Sequence, residues 1–154
     1  MIPILYVDMD GVLADFPKAV ENITGKQFSH GDMGEARLHR IVNNAGVSFW
    51  ADMPTMPFGL QLWQKIQPYN PILLSSPGTY MYSKEGKKIW KEKILGDPPM
   101  ILDKHKSKYA KKNSILIDDL DFNIKSFNEA GGTGIQYLDF YTTLKLLERK
   151  VKDM

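Results

Sequence analysis

No cysteine occurs in the 154 residues of this chain, so disulfide frameworks and thiolate metal centres are both excluded. The histidines, His30, His39 and His105, have no mutual spacing that would gather them around an ion. No apolar run reaches membrane-spanning length, and no membrane partner is expected. The opening MIPILYV lacks a basic flank and meets an acid at Asp8, so it reads as a strand and not as a signal peptide. A reducing, cytoplasmic setting is the expectation. The net charge of +2 is too small to argue for a specific nucleic-acid partner. AGGTG at 130–134 is glycine-rich, yet it follows a helical pattern and leads into an apolar run. That order is the reverse of a dinucleotide-binding loop, and the segment reads as a helix C-cap and turn.

What is there fits one domain: 43% hydrophobic and 25% charged residues can build a sizeable core. Ten lysines against four acids crowd the stretch from Lys84 to Lys112. Such a surface favours either an anionic ligand or a solvated helix face. Three apolar runs read as buried strands: IPILYV (2–7), PILLS (71–75) and SILI (114–117). A fourth, GIQYL (134–138), follows the glycine turn. Helical patterns lie between them: 59–67 with Leu60, Trp63 and Ile66 on one face, 84–95 with Ile89, Trp90 and Ile94, and 121–130 with Ile124 and Phe127. TTLKLLERKVKDM makes a last amphipathic helix. Strands alternating with helices predict an α/β fold, a doubly wound parallel sheet covered on both faces.

Residues 17–57 break that alternation, with two helix-like stretches, PKAVENITG and GEARLHRIVNNAG, and no strand. They read as a small helical cap inserted after the first strand, on a core formed by 1–16 and 58–154. The end of the insert, VSFWADMPTMPFG, carries the aromatic and Met content of an apolar pocket lining, or of a hinge with core packing.

In a doubly wound sheet, ligands bind beyond the carboxyl ends of the strands. The residues found there are Asp8, Asp10 and Gly11, then Ser75 and Ser76, then Asp118 and Asp119, with Lys104, Lys106 and Lys108 just ahead of the last set. Carboxylates brought that close repel one another unless protons or a cation neutralise them. An all-oxygen site suits a hard ion such as Mg²⁺, which binds one or two carboxylates plus waters and phosphate. A lysine and a serine supply what the remaining phosphate oxygens require. The first acid, Asp8, can attack phosphorus while also touching the metal, and the second can serve the leaving oxygen as general acid.

The ordered set, DMDGVLADF, then ILLSSP, then a lysine, then ILIDD, resembles the motifs of the haloacid dehalogenase superfamily of phosphohydrolases. Together with the NI and AGG that follow, it is most similar to the 5'(3')-deoxyribonucleotidases, over Ile4 to Tyr137. The resemblance implies that Asp8 is a nucleophile that becomes phosphorylated. It makes Asp10 the general acid and base, which also lends its backbone carbonyl to Mg²⁺. Ser75 and Lys106 would contact phosphate, Ser76 and Lys104 would assist, and Lys108 is the rival to Lys106. Asp119 would hold the metal and Asp118 support it; helix capping is the alternative for either acid. Phe49 and Trp50 are candidates to stack on a nucleobase and Phe16 to sit beside the phosphate, with core packing as the alternative. Lys87 either reaches phosphate or is exposed.

The expected activity is Mg²⁺-dependent hydrolysis of (deoxy)ribonucleoside monophosphates, with a homodimer allowed as the assembly. Rival readings are a phosphatase of other monoesters, a non-catalytic nucleotide-binding module, or a signalling receiver. A receiver, however, places its adjacent acids after the first strand and its phosphorylated Asp after a middle one.

Overall fold

The computed structural model describes residues 2–26 and 33–154, so His30 lies outside the described residues. The sheet contains β1 (Ile4–Val7), β2 (Ile72–Ser75), β3 (Met100–Leu102), β4 (Ser114–Asp118) and β5 (Thr133–Gln136). All pairings are parallel and the order is 3-2-1-4-5. This is the α/β arrangement expected from the sequence. It differs from the 2-1-3-4-5 order of receiver sheets, because β1 here lies between β2 and β4. Strand order therefore reverses at the β1/β4 seam.

The strands are buried for the reason their apolar runs suggest. Leu5, Val7, Leu73, Ile115 and Ile117 point to one face, while Tyr6, Leu74 and Leu116 point to the other. Helix α6 (Asp121–Glu129) covers that second face with Phe127 and Ile124. On the first face lie α4 (Gly59–Ile66), α5 (Ser83–Leu95) and α7 (Phe140–Lys152). The buried stripe of α4 is Leu62, Trp63 and Ile66; Leu60, assigned to that face by periodicity, is exposed.

After β1 comes a helical insert: α1 (Phe16–Thr24), α2 (Glu35–Ala45) and the short α3 (Val47–Ala51). Asp15 caps α1 by accepting from the Lys18 amide at 3.1 Å, with Pro17 in the first turn. Val20, Leu38, Val42, Phe49 and Trp50 share one apolar cluster with the sheet, so the insert is packed onto the core and does not stand away from it. Two contacts fix its far end. The fully buried Trp90 of α5 donates its indole N–H to the Met53 carbonyl at 2.8 Å. At Gly86 a β-carbon would overlap the Trp50 side chain, so α3 lies against α5 only because that position has none. The insert thus delivers Trp50 to one end of the sheet. Among the described residues no helix is long and apolar enough to cross a membrane.

Candidate active site

At the end of β1 the chain makes one more ladder bond, Asp8 N–H to the Ile117 carbonyl at 2.9 Å, and then curls. The Met9 carbonyl accepts from the amides of Val12, Leu13 and Ala14 at 3.2, 2.8 and 2.9 Å. Gly11 makes that curl with φ +87°, and a β-carbon there would overlap the Asp119 carboxylate. Glycine is required twice over, by the backbone and by the neighbour. The curl sends the first two acids in different directions.

Asp8 goes inward. Its Oδ1 accepts from Lys106 Nζ at 2.9 Å, and the same ammonium donates to Asp118 Oδ2 at 2.7 Å. Asp118 is fully buried and saturated: the Leu120 amide donates to its Oδ1 at 2.9 Å and Asn123 Nδ2 to its Oδ2 at 3.1 Å. Asp119 differs, since it faces the cavity and its Oδ1 is buried with no hydrogen-bond partner. One carboxylate oxygen from each of Asp8, Asp118 and Asp119 lies within 4.8 Å of the others. Burial drives the Asp8 carboxyl well above the usual carboxylate range; Lys106 opposes the shift, and Asp118 and Asp10 add to it. Burial likewise raises Asp119; the neighbouring Asp8 carboxyl opposes the shift and Asp118 adds to it. For Lys106, burial pulls the ammonium down, but the two acids outweigh it and its pKa ends raised. Three carboxyls share one ammonium, and the upward shifts of Asp8 and Asp119 show that their ionised forms are disfavoured there.

Asp10 goes to the other side of the same cavity, where its Oδ2 meets Lys87 Nζ at 3.1 Å. Lys87, buried on α5, also donates to Ser75 Oγ and to the Ser76 carbonyl, each at 2.7 Å, and lies 5.5 Å from the centre of the Trp50 ring. The cavity these groups line has a volume of about 380 Å³. Phe16, Trp50 and Tyr80 form its apolar side.

No family model matches the sequence, and no curated protein matches it. Solved structures do resemble it. A hydrolase from Streptococcus pneumoniae TIGR4 superposes with a TM-score of 0.58 at 14% identity, over 96% of this chain and 100% of that one. A HAD family enzyme from Bacteroides thetaiotaomicron, a magnesium complex, gives 0.55 at 17% identity over 94% and 98%. L-2-haloacid dehalogenase from Xanthobacter autotrophicus gives 0.58 at 13% identity over 99% and 83%. The fold is HAD-like, shared with these haloacid dehalogenase-type structures.

On this HAD-type fold the structure brings together Asp8, Asp10, Ser75, Ser76, Phe16, Trp50, Lys106 and Asp119 around one cavity, with Asp118 directly behind it. It leaves others out. Lys104 is exposed and does not line the cavity, and Lys108 turns away to pair with Asp103 at 2.9 Å. Phe49 is buried behind the lining, edge-on to Phe16 and Trp50 at 5.5 and 5.2 Å. Asp10 turns its carboxylate to Lys87 and away from the three clustered acids. Sequence reasoning gave Asn123 no role beyond its place in the NI pair, and it missed Tyr80 altogether. It named Lys87 but left it undecided, although Ser83, Gly86 and Lys87 fall on the buried stripe that ends at Trp90.

Proposed function

We propose that this chain is a Mg²⁺-dependent phosphatase acting on nucleoside monophosphates. The observation that carries the reading is the buried cluster of three carboxyls sharing one ammonium, with one carboxylate oxygen, Asp119 Oδ1, buried without a hydrogen-bond partner. A buried polar atom without a partner is costly, and a divalent cation would both stabilise the ionised forms of the crowded acids and supply the missing contact. Asp8 and Asp119 would hold the ion, with Asp118 in support. When bound, it would supply charge stabilisation at the phosphate oxygens.

The chain's own groups divide the remaining work. An Asp8 carboxylate oxygen attacks phosphorus, forming an acyl phosphate as the bond from phosphorus to the leaving oxygen breaks. Asp10 gives that oxygen its proton. Asp10 then takes a proton from water, whose oxygen attacks the same phosphorus and returns Asp8 to its free form. Ser75 supplies a hydroxyl and Lys106 a positive charge to the transferring group. Lys87 holds Asp10 at the cavity edge so that the acid meets the leaving oxygen and not the metal-binding acids.

A dehalogenase reading fits the site less well. A halide leaves without needing a proton, which gives Asp10 no task. An apolar side built of three aromatic rings favours a leaving group with a ring, hence a nucleoside. The test is a panel of deoxyribo- and ribonucleoside monophosphates, sugar phosphates and 2-chloropropionate, assayed with Mg²⁺ and with EDTA. Turnover of nucleoside monophosphates that EDTA abolishes and Asp8→Asn removes is the expected result. Good turnover of sugar phosphates with none of nucleotides would overturn the substrate assignment, and halide release would overturn the reaction.

A further inference from the structure

Tyr80 lies in the loop between β2 and α5. Its ring centre is 5.3 Å from that of Trp50 and 5.9 Å from that of Phe16, and those two are 5.6 Å apart. All three line the cavity. Rings in mutual contact leave no slot between them, because a flat group held between two rings needs two van der Waals separations, about 7 Å in total. A leaving group therefore lies against this wall from one side only.

The loop that carries Tyr80 is held by α2. His39 stacks on Tyr80 with ring centres 4.2 Å apart and planes 12° from parallel. His39 Nδ1 lies 2.9 Å from the Glu35 carbonyl, which fixes the proton of the neutral ring there. Nε2 is then left to accept from the Thr79 hydroxyl at 2.5 Å. Asn43, one helical turn further on, accepts from the Met81 amide at 3.0 Å. Three consecutive residues, 79 to 81, are thus pinned by one helix of the insert. Ser83 ties the backbone of the same loop by donating to the Pro77 and Tyr80 carbonyls at 2.5 and 3.3 Å, and His39 adds a hold on the ring itself.

We infer that Tyr80 is a specificity-determining residue selecting phosphomonoesters whose alcohol bears a flat apolar group, and that His39 is its positioning residue. The inference rests on the site binding phosphomonoesters and deepens the reading above without requiring that a nucleotide be the substrate. One-sided contact senses planarity and apolar area but not the hydrogen-bonding edge of a base. Thymine, adenine and nitrophenyl groups are then bound alike.

The test is calorimetric binding in the Asp8→Asn background with Mg²⁺ present, so that no turnover is needed. The readout is the affinity for p-nitrophenyl phosphate relative to inorganic phosphate. Tyr80→Ala lowers that ratio about tenfold, the size expected for loss of one stacking ring, while Tyr80→Phe keeps it within about twofold. His39→Ala lowers it about threefold, and His39→Phe, which keeps a ring against Tyr80, restores it. Affinity for inorganic phosphate itself, which a general loss of structure would move, stays within about twofold in the His39 variants. An unchanged ratio in Tyr80→Ala, or equal losses in Tyr80→Ala and Tyr80→Phe, overturns the assignment. A spread of more than about tenfold between thymidine and deoxyadenosine 5'-monophosphate overturns the one-sided contact. Because this is a binding ratio, it stands or falls apart from the turnover panel: a protein that hydrolyses no nucleotide can still pass it.

Discussion

Two lysines out of the ten between Lys84 and Lys112 are buried, and the site has one on each side. Lys106 sits between the carboxyl groups of Asp8 and Asp118, in a cluster where three acids share that one ammonium. Lys87 holds one carboxylate, one hydroxyl and one backbone carbonyl, so its surroundings balance its charge. The difference separates two tasks. A cluster with more acids than ammonium is one that a cation would complete, whereas a balanced, fully bonded group is a brace that fixes the direction of Asp10.

Removing Lys106 breaks this comparison most severely. Lys106→Met leaves Asp8 and Asp118 buried with no ammonium between them, a loss that typically costs about 3–5 kcal/mol of stability. Turnover of p-nitrophenyl phosphate should fall about a thousandfold, on the scale of losing a charged contact to the transferring group. The discriminating measurement is the melting temperature with and without Mg²⁺. The cluster has become more negative, so the ion should stabilise the variant by more degrees than it stabilises the wild type. A smaller Mg²⁺ effect in the variant would mean that the ion does not sit on these acids.

Lys87→Met sharpens the contrast from the other side. Asp10 and Ser75 lose their shared partner, and turnover falls about 10- to 100-fold as the leaving oxygen loses a well-placed proton donor. The Mg²⁺ effect on melting should match that of the wild type, because Lys87 touches none of the three clustered acids. A changed Mg²⁺ effect would merge the two lysines into one network and remove the distinction.

Much of this arrangement can be read in the sequence, and the exceptions have physical causes. β1, β2 and β4 are legible because strands buried on both faces leave unbroken apolar runs, and their polar ends mark the ligand side of the sheet. β3 escapes because three half-buried residues at the sheet edge leave no such run. α3 escapes because five residues are too few for a period to show. Lys104, Lys106 and Lys108 cannot be told apart by spacing. What selects Lys106 is the turn that follows β3, where a single helical twist aims one side chain into the sheet seam and leaves its neighbours outside. Tyr80 is invisible for a similar reason: its importance comes from His39, 41 positions earlier, and no local pattern records that pairing.

That turn yields the smallest effect of the series. Asp103 closes it: its Oδ1 accepts from the His105 amide at 2.8 Å, and its Oδ2 accepts from the Tyr109 hydroxyl at 3.0 Å and pairs with Lys108 at 2.9 Å. The hydrogen bond from Lys108, followed by the one from the His105 amide, holds the Asp103 carboxyl down to about 2. A carboxyl whose folded pKa lies below its unfolded value stabilises the fold in its ionised form. Its contribution is complete above the unfolded pKa, near 3.8, and is lost as pH falls through about 2. Asp103→Asn should therefore melt a few degrees below the wild type at neutral pH, and the gap should close as pH is lowered toward about 2. Turnover at neutral pH should drop only about two- to fivefold, since Asp103 touches Lys106 solely through the backbone of the turn. A melting gap that persists unchanged at low pH would show that Asn fails for lack of fit and not for lack of charge.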